Sequence, residues 1–431
     1  MKKRSMDADS EARGATAAPA QSARRLAIQL IVVFGIISLF SDTIYEGARS
    51  VNGPYLKTLG ADAALVGIVA GLAEMLGYLV RLLTGAWADR SKAYWAFTIV
   101  GYASLATVPL LALTGAWQAA ALFIVLERVG KAIRSPAKDT ILSTATKRVG
   151  TGFGFGLHEA MDQIGAILGP LVFMAVFAFG GRSDASVHAA ASVGVAEYQT
   201  AYGWLWLPFA VLMVILLFAY FRVPDPQKLE PIVPAAREED KLTKTFRLYV
   251  AFTFVATLGF ASWALLGFHF KAKGVLTDAE IPLFYAIAMG VDGAVALIVG
   301  IGYDKLKKRK GSEKGGLALL VIIPIFSILI PILGFSSSRV LAIASAVVWG
   351  IVMGTHETIM KSAIADITPM KKRGTGYGIF NTAYGLAVFI GSAAMGLLYD
   401  ASIAWVIGLA VAVEVAALVV FAFLRREALK N

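Results

Sequence analysis

Long apolar runs with almost no charged residue dominate this sequence and restrict the folds open to it. Examples are Leu26 to Phe40, Trp204 to Phe221 and Ile403 to Leu424. With their flanks, such runs match the ~20 residues that an α-helix needs to cross a bilayer. Lipid offers no partner for unpaired backbone groups, and short alternating strands are not visible in the sequence. The runs are therefore predicted to be transmembrane helices.

The composition points the same way. Of the 431 residues, 58% are hydrophobic and 16% are charged, whereas a soluble domain carries about 25% charged residues. A formal charge of +11 in a soluble protein would suggest nucleic acid, but here the basic residues cluster between apolar runs, as in cytoplasmic loops. We therefore expect a lipid bilayer, and no nucleic acid, as a partner. The absence of cysteine excludes disulfides, thiolate metal sites and thiol catalysis.

Twelve spans are predicted, six on either side of a polar segment. The first six lie at about 26–48, 62–84, 94–114, 119–135, 153–179 and 201–221. The second six lie at about 247–268, 281–303, 316–335, 339–362, 376–398 and 403–424. The predicted fold class is an all-α membrane protein with two six-helix bundles.

The domain boundaries follow from these spans. We predict a disordered tail over 1–25, an N-terminal bundle over 26–221, a linker over 222–246, a C-terminal bundle over 247–424 and a short tail over 425–431. The first tail is predicted to be disordered because it is rich in Ala, Ser and charge. Basic segments such as Lys305 to Lys310 and Lys371 to Arg373 fall on the same side as both termini. The positive-inside rule then predicts an inner-membrane protein with cytoplasmic termini.

The two halves repeat weakly. Gly85 to Arg90 ends span 2, and Gly300 to Lys305 ends span 8, 215 positions later. At an offset of 222, Gly169 in span 5 matches Gly391 in span 11. Two similar six-helix halves are typical of a transporter whose site lies at the interface of the repeats.

Several of these motifs resemble those of the major facilitator superfamily. Gly85, Asp89 and Arg90 are similar to its loop motif between spans 2 and 3, and Arg128 in span 4 is similar to its intramembrane arginine motif. The resemblance implies two pseudo-symmetric bundles around a central cavity and transport by alternating access. It also implies a cytoplasmic gate made by Gly85, Asp89, Arg90, Gly300 and Asp304. We expect Asp89 to face the start of span 11, near residues 374–376, where the helix dipole favours an anion.

A stripe of small residues in span 5 resembles a motif that is often found in proton-coupled antiporters. Gly165 and Gly169 lie four positions apart and favour close helix contact, and Pro170 is predicted to bend the span. The resemblance implies that protons drive transport.

Ionisable residues at membrane depth are costly, so each one is a candidate for function. Asp42, Glu46 and Arg49 lie on one face of span 1. We predict that Asp42 is the principal proton-coupling carboxylate, because a long stretch without charge precedes it; the alternative is a salt bridge that closes the outer side. Glu74, near the middle of span 2, is either a proton carrier or an ion-pair partner.

Spans 4 and 5 carry a second group of charged residues. Arg128 and Lys131 would either attract an anionic solute or belong to a mutually neutralising network with span 5. In that network, Lys131 or Arg134 is predicted to pair with Glu159 or Asp162.

The second half contributes two isolated carboxylates at membrane depth, Asp292 in span 8 and Glu357 in span 10. Trp263, in the outer part of span 7, is interpreted as a packing and interface residue, because aromatic side chains favour that depth. The sequence predicts no metal site, no cofactor and no catalytic constellation.

Three functions remain open at this point. The first is proton-coupled export of a small organic solute. Because no nucleotide-binding domain is encoded, the energy is expected to come from an ion gradient or from the solute's own gradient. The second is uptake or exchange of a small anion, favoured by the basic residues of span 4. The third is a non-transporting sensor or assembly factor on the same fold. We expect a monomer whose partners are the bilayer, a small solute and protons, and we do not expect an enzyme.

Overall fold

The apolar runs of the sequence form helices in the structure, which is a computed structural model. It describes residues 2–149, 151–179, 193–225, 242–310, 312–368 and 373–428. Within these residues, eleven helices are long and apolar enough to cross a membrane. The twelfth crossing, Trp117–Val149, is less apolar because it carries Glu127, Arg128, Lys131 and Arg134. The predicted all-α architecture of membrane-spanning helices in two bundles is confirmed.

The spans keep the predicted order. Spans 1 to 6 are Arg25–Thr58, Ala63–Ser91, Tyr94–Leu113, Trp117–Val149, Thr151–Phe179 and Val195–Arg222. Spans 7 to 12 are Lys244–Ala272, Glu280–Lys310, Lys314–Gly334, Arg339–Ile364, Arg373–Ala401 and Ile403–Ala428. Residues 226–241 of the predicted linker and 429–431 of the predicted C-terminal tail lie outside the described residues.

Five spans are built from more than one helical piece. Span 7 consists of Lys244–Leu258 and Trp263–Ala272, with residues 259–262 outside regular helix. Span 10 consists of Arg339–Thr355, a π-helical turn His356–Met360 and Lys361–Ile367. Span 3 combines the helix Tyr94–Ala103 with the 3₁₀ turns Ser104–Thr107 and Pro109–Leu113. Span 6 combines the helices Val195–Trp204 and Trp206–Arg222. Span 9 combines the 3₁₀ helix Glu313–Val321 with the α-helix Ile322–Gly334. Such interruptions mark places where a helix can bend or contribute to a functional site.

Two helices extend further than the hydropathy of the sequence predicts. Span 4 was expected to end at residue 135, yet it continues through Pro136 to Val149. Pro136 cannot donate to the carbonyl of Ala132, but the Thr84 hydroxyl of span 2 donates to that oxygen at 3.0 Å, so the proline is tolerated. The helix of span 1 begins at Lys2, inside the segment predicted to be a disordered tail; the alanine content of that segment favours helix.

Glycines bring the helices within each bundle into backbone contact. A methyl group on Gly165 would lie 2.3 Å from the Leu39 carbonyl oxygen, and one on Gly169 would lie 2.2 Å from that of Thr43. Spans 5 and 1 therefore need glycine at both positions. A methyl group on Gly391 of span 11 would lie 2.2 Å from the Leu258 carbonyl oxygen of span 7. The same close contact thus recurs in the second bundle, as the sequence repeat indicates.

The two bundles meet at mid-depth and on one side of the membrane domain. We call the side at which span 1 begins and span 12 ends the terminal side, and the other the opposite side. On the opposite side, Trp263 Nε1 donates to the Ser50 carbonyl oxygen at 3.1 Å. The Ala64 N–H donates to Asp400 Oδ2 at 3.0 Å.

On the terminal side, the hydrogen bonds and ion pairs described stay within one bundle. Lys307 Nζ lies 2.8 Å from Asp366 Oδ2 inside the second bundle, and Tyr94 donates to Asp89 at 3.1 Å inside the first. The structure is therefore closed on the opposite side.

Candidate solute cavity

A cavity of about 510 Å³ lies between the two bundles. Its walls differ in chemistry. The wall from the first bundle carries the acidic and basic side chains Glu46, Arg49, Glu74, Arg81, Glu127, Arg128, Lys131 and Asp139. Among the described residues of the wall from the second bundle, Glu357 is the one acidic or basic side chain apart from His356. We call the first the charged wall and the second the aromatic wall.

Ion pairs that join three helices organise the charged wall. Arg128 Nη2 of span 4 lies 2.7 Å from Glu74 Oε1 of span 2. Arg49 Nη2 of span 1 lies 3.7 Å from the same oxygen, and Arg49 Nη1 lies 3.5 Å from Glu46 Oε1. Glu127 Oε2 lies 3.9 Å from Arg128 Nε. Opposite charges at these distances offset the cost of placing each ion in a poorly hydrated cavity.

The ring of Tyr45 supports two of the cations. Lys131 Nζ lies 3.7 Å from the ring centroid, and Arg128 Cζ lies 4.3 Å from it. Both distances fall within the ~6 Å over which a ring face attracts a cation. Tyr45 therefore holds the head groups of span 4 toward span 1.

A hydrogen bond joins the charged wall to the second bundle. The Tyr285 hydroxyl of span 8 donates to Glu46 Oε2. Glu46 is 7% exposed, so water has little access to its carboxylate. Its described hydrogen-bond partners are Tyr285 and Arg49. Any separation of the bundles at this depth must break the contact between Tyr285 and Glu46.

The aromatic wall is a continuous set of packed rings. Trp263 packs edge-on against Tyr285 at 4.9 Å between centroids and against Trp349 at 5.6 Å. Phe380 and Tyr384 of span 11 stack at 6.0 Å. Such a surface offers large contact area to an organic molecule and makes few demands on hydrogen bonding.

The π-helical turn of span 10 brings two titratable residues to this wall. Glu357 is exposed to the cavity. His356 is buried against the rings of Phe260 and Tyr384, at 5.6 and 6.1 Å. Neither nitrogen of His356 has a hydrogen-bond partner within the described chain. An isolated π turn of this kind is frequent at functional sites.

Comparison with known proteins identifies the family. The model of the Major Facilitator Superfamily matches residues 31–360 and 311–431. The chain belongs to the major facilitator superfamily. An uncharacterised protein of Mycobacterium tuberculosis, Rv2265, is 39% identical over 413 residues, 94% of each chain. An uncharacterised MFS-type transporter of Methanocaldococcus jannaschii, MJ1317, is 23% identical over 379 residues, 86% of this chain and 89% of its own. The chain is therefore a multi-pass membrane transporter of this superfamily.

Solved structures of the superfamily share the fold. The nucleoside transporter NupG superimposes with a TM-score of 0.64 at 15% identity, over 93% of this chain and 99% of that one. A bacterial homologue of the human lysosomal transporter Spinster, inward-facing and occupied, superimposes with a TM-score of 0.65 at 15% identity, over 93% and 96%. At such identities the likeness establishes the architecture and not the solute.

The structure places the predicted carboxylates of this transporter in different surroundings. Glu46, Glu74 and Glu357 line the cavity. Asp292 is buried and faces Gln163 of the first bundle, whose Nε2 lies 3.5 Å from Asp292 Oδ2. Asp292 thus lies at a contact between the bundles, not on the cavity wall.

Asp42 and Asp162 belong to a separate cluster between spans 1, 4 and 5. Asp162 Oδ2 lies 3.7 Å from His158 Nε2, which is also 2.8 Å from Lys138 Nζ. The charged neighbours of Asp42 include Asp162 and Lys131. Neither aspartate lines the cavity.

The predicted pairing of spans 4 and 5 through Lys131 or Arg134 is wrong for Asp162. Arg134 instead donates to Ser41 Oγ at 3.1 Å and to the Gly101 carbonyl oxygen at 3.4 Å, while Lys131 lies over Tyr45. Helical periodicity identified the shared face of span 4, but that face turns toward spans 1 and 3.

The gating motif lies on the terminal side, where the described hydrogen bonds and ion pairs do not bridge the bundles. Asp89 and Asp304 are both exposed, and Asp89 accepts its hydrogen bond from Tyr94 of its own bundle. Residues 369–372, just before span 11, lie outside the described residues. The contact of Asp89 with the start of span 11 therefore stays a prediction for the conformation that is closed on this side.

Sequence reasoning missed several residues in and beside the cavity. Tyr45 and Tyr285, which hold the charged wall together, are tyrosines in apolar runs and gave no distinct signal. Trp263 was interpreted as a packing and interface residue, but it lines the cavity and closes the opposite side. Trp349 carries the guanidinium of Arg49 5.9 Å from its ring centroid. Its position in the middle of a span, away from the interfaces where tryptophan is common, was the available signal.

Proposed function

We propose that this transporter exports a small organic solute in exchange for protons, by alternating access of one cavity to the two sides of the inner membrane. The terminal side is cytoplasmic in this proposal, because the basic loops adjoin it. The chain then works as a monomer within the lipid bilayer. The described conformation is the one that loads solute from the cytoplasm.

The contrast between the two cavity walls carries this proposal. The aromatic wall provides apolar area for an organic body, and Glu357 provides one charge beside it. The charged wall provides carboxylates that share their arginine partners. When a proton neutralises one carboxylate of such a network, its arginine partner is free to pair with the neighbouring carboxylate. Protonation and helix position then become coupled.

Proton coupling is proposed to run through span 1, with Asp42 as the principal carboxylate. Asp42 lies one turn from Glu46, which bonds to Tyr285 of the second bundle. A change of charge at Asp42 therefore acts one helical turn from a contact that must break for the opposite side to open. Glu46 and Glu74 are the next carriers in this proposal.

The gate on the terminal side is proposed to form from Gly85, Asp89, Arg90, Gly300 and Asp304. These residues end pseudo-equivalent spans, and in the described conformation Asp89 accepts its hydrogen bond from Tyr94 of its own bundle. When that side closes, the carboxylate of Asp89 would dock against the N-terminal end of span 11.

A second candidate function is uptake or exchange of a small anion. It is supported by Arg81, which lines the cavity and whose buried Nε has no partner within the described chain. Together with Lys131 it would bind a carboxylate or phosphate group. Discrimination between the two functions requires solutes that are matched in size and differ in charge.

The test is transport into proteoliposomes with an imposed pH gradient, using size-matched cationic, zwitterionic, neutral and anionic organic solutes. We expect gradient-driven transport of cationic or neutral amphipathic solutes. Asp42→Asn should remove the response to the gradient and spare solute exchange without one. Asp62→Asn is the matched control, because asparagine preserves the helix cap that Asp62 provides to span 2. Transport confined to anions would favour the second function. A wild-type gradient response in Asp42→Asn would show that Asp42 is structural.

A further inference from the structure

A carboxylic acid is fully buried in the second bundle, away from the cavity. Glu414 of span 12 is 0% exposed, and neither of its carboxylate oxygens has a hydrogen-bond partner within the described chain. It is the one acidic residue in the apolar run Ile403 to Leu424. An acid in such surroundings is tolerated as the neutral, protonated form, because the ionised form has neither water nor a counter-charge.

The surroundings of Glu414 come from three helices. A methyl group on Gly259 of span 7 would lie 2.7 Å from Glu414 Oε1 and 2.9 Å from its carboxyl carbon. Ser327 of span 9 is the polar side chain that faces the carboxyl group, although its hydroxyl lacks hydrogen-bond geometry. Phe252 lies seven residues before Gly259, and Phe421 lies seven residues after Glu414. Their ring centroids are 5.9 Å apart, so they continue the contact between spans 7 and 12. Among the described residues of these helices, no charged side chain acts on Glu414.

Gly259 lies where span 7 is interrupted. The helix Lys244–Leu258 ends just before it, and the helix resumes at Trp263. The resumed piece carries one of the contacts that close the opposite side, since Trp263 Nε1 donates to the Ser50 carbonyl oxygen. Opening of that side must move this piece away from span 1. Residues 259–262 lie outside regular helix, so the backbone resists bending less there than within the two helical pieces. Glu414 therefore packs on the segment that bends.

We propose that Glu414 is a proton-binding site linked to closure of the opposite side. The proton is bound while Gly259 packs on the carboxyl group, and it leaves when span 7 bends and water reaches Glu414. By linkage, a ligand that binds one conformation more tightly favours that conformation. Protons should then favour the described, opposite-side-closed state. This inference rests on the alternating access of the proposed function, but not on Asp42 or on the identity of the solute.

The experiment uses the absence of cysteine from the chain, which allows one labelled pair without background. Ala116→Cys and Lys273→Cys place spin labels at exposed positions of the two bundles on the opposite side. Distances are measured in lipid nanodiscs across a pH series. In the otherwise unchanged chain, low pH should enrich the short distance and high pH the long one. With Glu414→Gln, which imitates the protonated acid, the short distance should persist at high pH. Glu427→Gln, the same change further along span 12, should titrate like the unchanged chain.

Gly259→Ala gives a second variant, should Glu414→Gln fail to fold. Its methyl group displaces the carboxyl group, so the midpoint of the pH series should move by about one unit, a tenfold change in proton affinity. The proposal is overturned if Glu414→Gln or Gly259→Ala titrates like the unchanged chain while that chain does respond to pH. If the unchanged chain shows one distance under all conditions, with or without a solute gradient, alternating access itself fails and this site fails with it.

Discussion

The two walls of the cavity come from bundles of the same architecture, yet they are chemically opposite. Gly169 in one bundle and Gly391 in the other make equivalent contacts, so the shape of the two halves is shared. The charged wall is organised by Arg49, Glu74 and Arg128, whereas the aromatic wall offers rings. The difference teaches that the repeat supplies a shared framework, while each half presents its own chemistry to the cavity.

Physical chemistry gives a reason for this division. Charges in a poorly hydrated cavity need partners at fixed distances, so a network of them is rigid and sensitive to each proton. Packed rings bind through area and tolerate different solutes. Tyr285 is one residue that joins the two, because it packs with Trp263 in the aromatic wall and donates to Glu46 in the charged one.

The largest effect is expected from breaking the charged wall at its shortest ion pair. Arg128→Gln leaves Glu74 without its 2.7 Å partner and should lower the free energy of unfolding in detergent by ~3 kcal/mol, the low end for buried pairs because Glu74 keeps 23% exposure. Adding Glu74→Gln should restore part of the loss. Arg339→Gln is the control, since its pair with Glu280 lies at the surface, with Arg339 62% exposed, and should cost under ~1 kcal/mol. Equal losses in the single and double variants would mean that the pair is not coupled.

A smaller effect is expected from cutting the link between the walls. Tyr285→Phe removes the hydroxyl that donates to Glu46 and keeps the ring against Trp263. A hydrogen bond to a charged group contributes ~1.5–3 kcal/mol. Part of that loss should appear as a shift toward the state that is open on the opposite side, measured with the same label pair. Tyr55→Phe, which removes a hydroxyl bonded within the first bundle, should destabilise without shifting the distances. A shift of the same size in Tyr55→Phe would remove Tyr285 from its proposed role.

The aromatic wall is tested by trimming one ring. Phe380→Leu removes the stacking with Tyr384 and should weaken binding of an aromatic solute by about 1 kcal/mol, roughly fivefold. Phe123→Leu makes the same change on the charged wall and should leave that affinity within about twofold. Binding is measured by titration calorimetry in nanodiscs. If the two variants lose affinity equally, the solute does not prefer the aromatic wall.

The smallest effect on stability is expected at Glu357. Because Glu357 is exposed to the cavity, Glu357→Gln should change the free energy of unfolding by less than ~0.5 kcal/mol. It should nevertheless weaken the binding of cationic solutes and leave neutral solutes of the same size unchanged. A uniform loss across solutes of every charge would assign Glu357 to the framework of the cavity instead.

Glu357→Gln is informative because it is expected to weaken the binding of cationic solutes while leaving the free energy of unfolding almost unchanged. Glu74→Gln alters a partner of two arginines, so it should affect both properties at once. Comparing the two glutamates therefore tells whether charge recognition belongs to the aromatic wall.

The sequence alone determined the membrane setting, the order of the spans and the two-bundle architecture. Lipid forces every apolar run of sufficient length into a helix, so this level depends on local composition and needs no knowledge of neighbours. The same local logic predicted a close helix contact at Gly165 and Gly169, and the structure shows that the partner is span 1. It also found Glu46, Glu74 and Glu357, because an ionisable residue at membrane depth is costly and is therefore a candidate for function.

Tertiary structure decided which of those residues face one another. Periodicity assigned Lys131 and Arg134 to one face of span 4, but only packing showed that this face meets Tyr45 and Ser41 rather than Asp162. The end of span 4 was misjudged because Thr84, 52 positions earlier, satisfies the carbonyl that Pro136 leaves free. Glu414 was passed over as a single acid in an apolar run, and its contact with Gly259 exists only between helices. Hydropathy is a property of each residue in turn, whereas pairing, burial and bending depend on atoms that the chain brings together from distant positions.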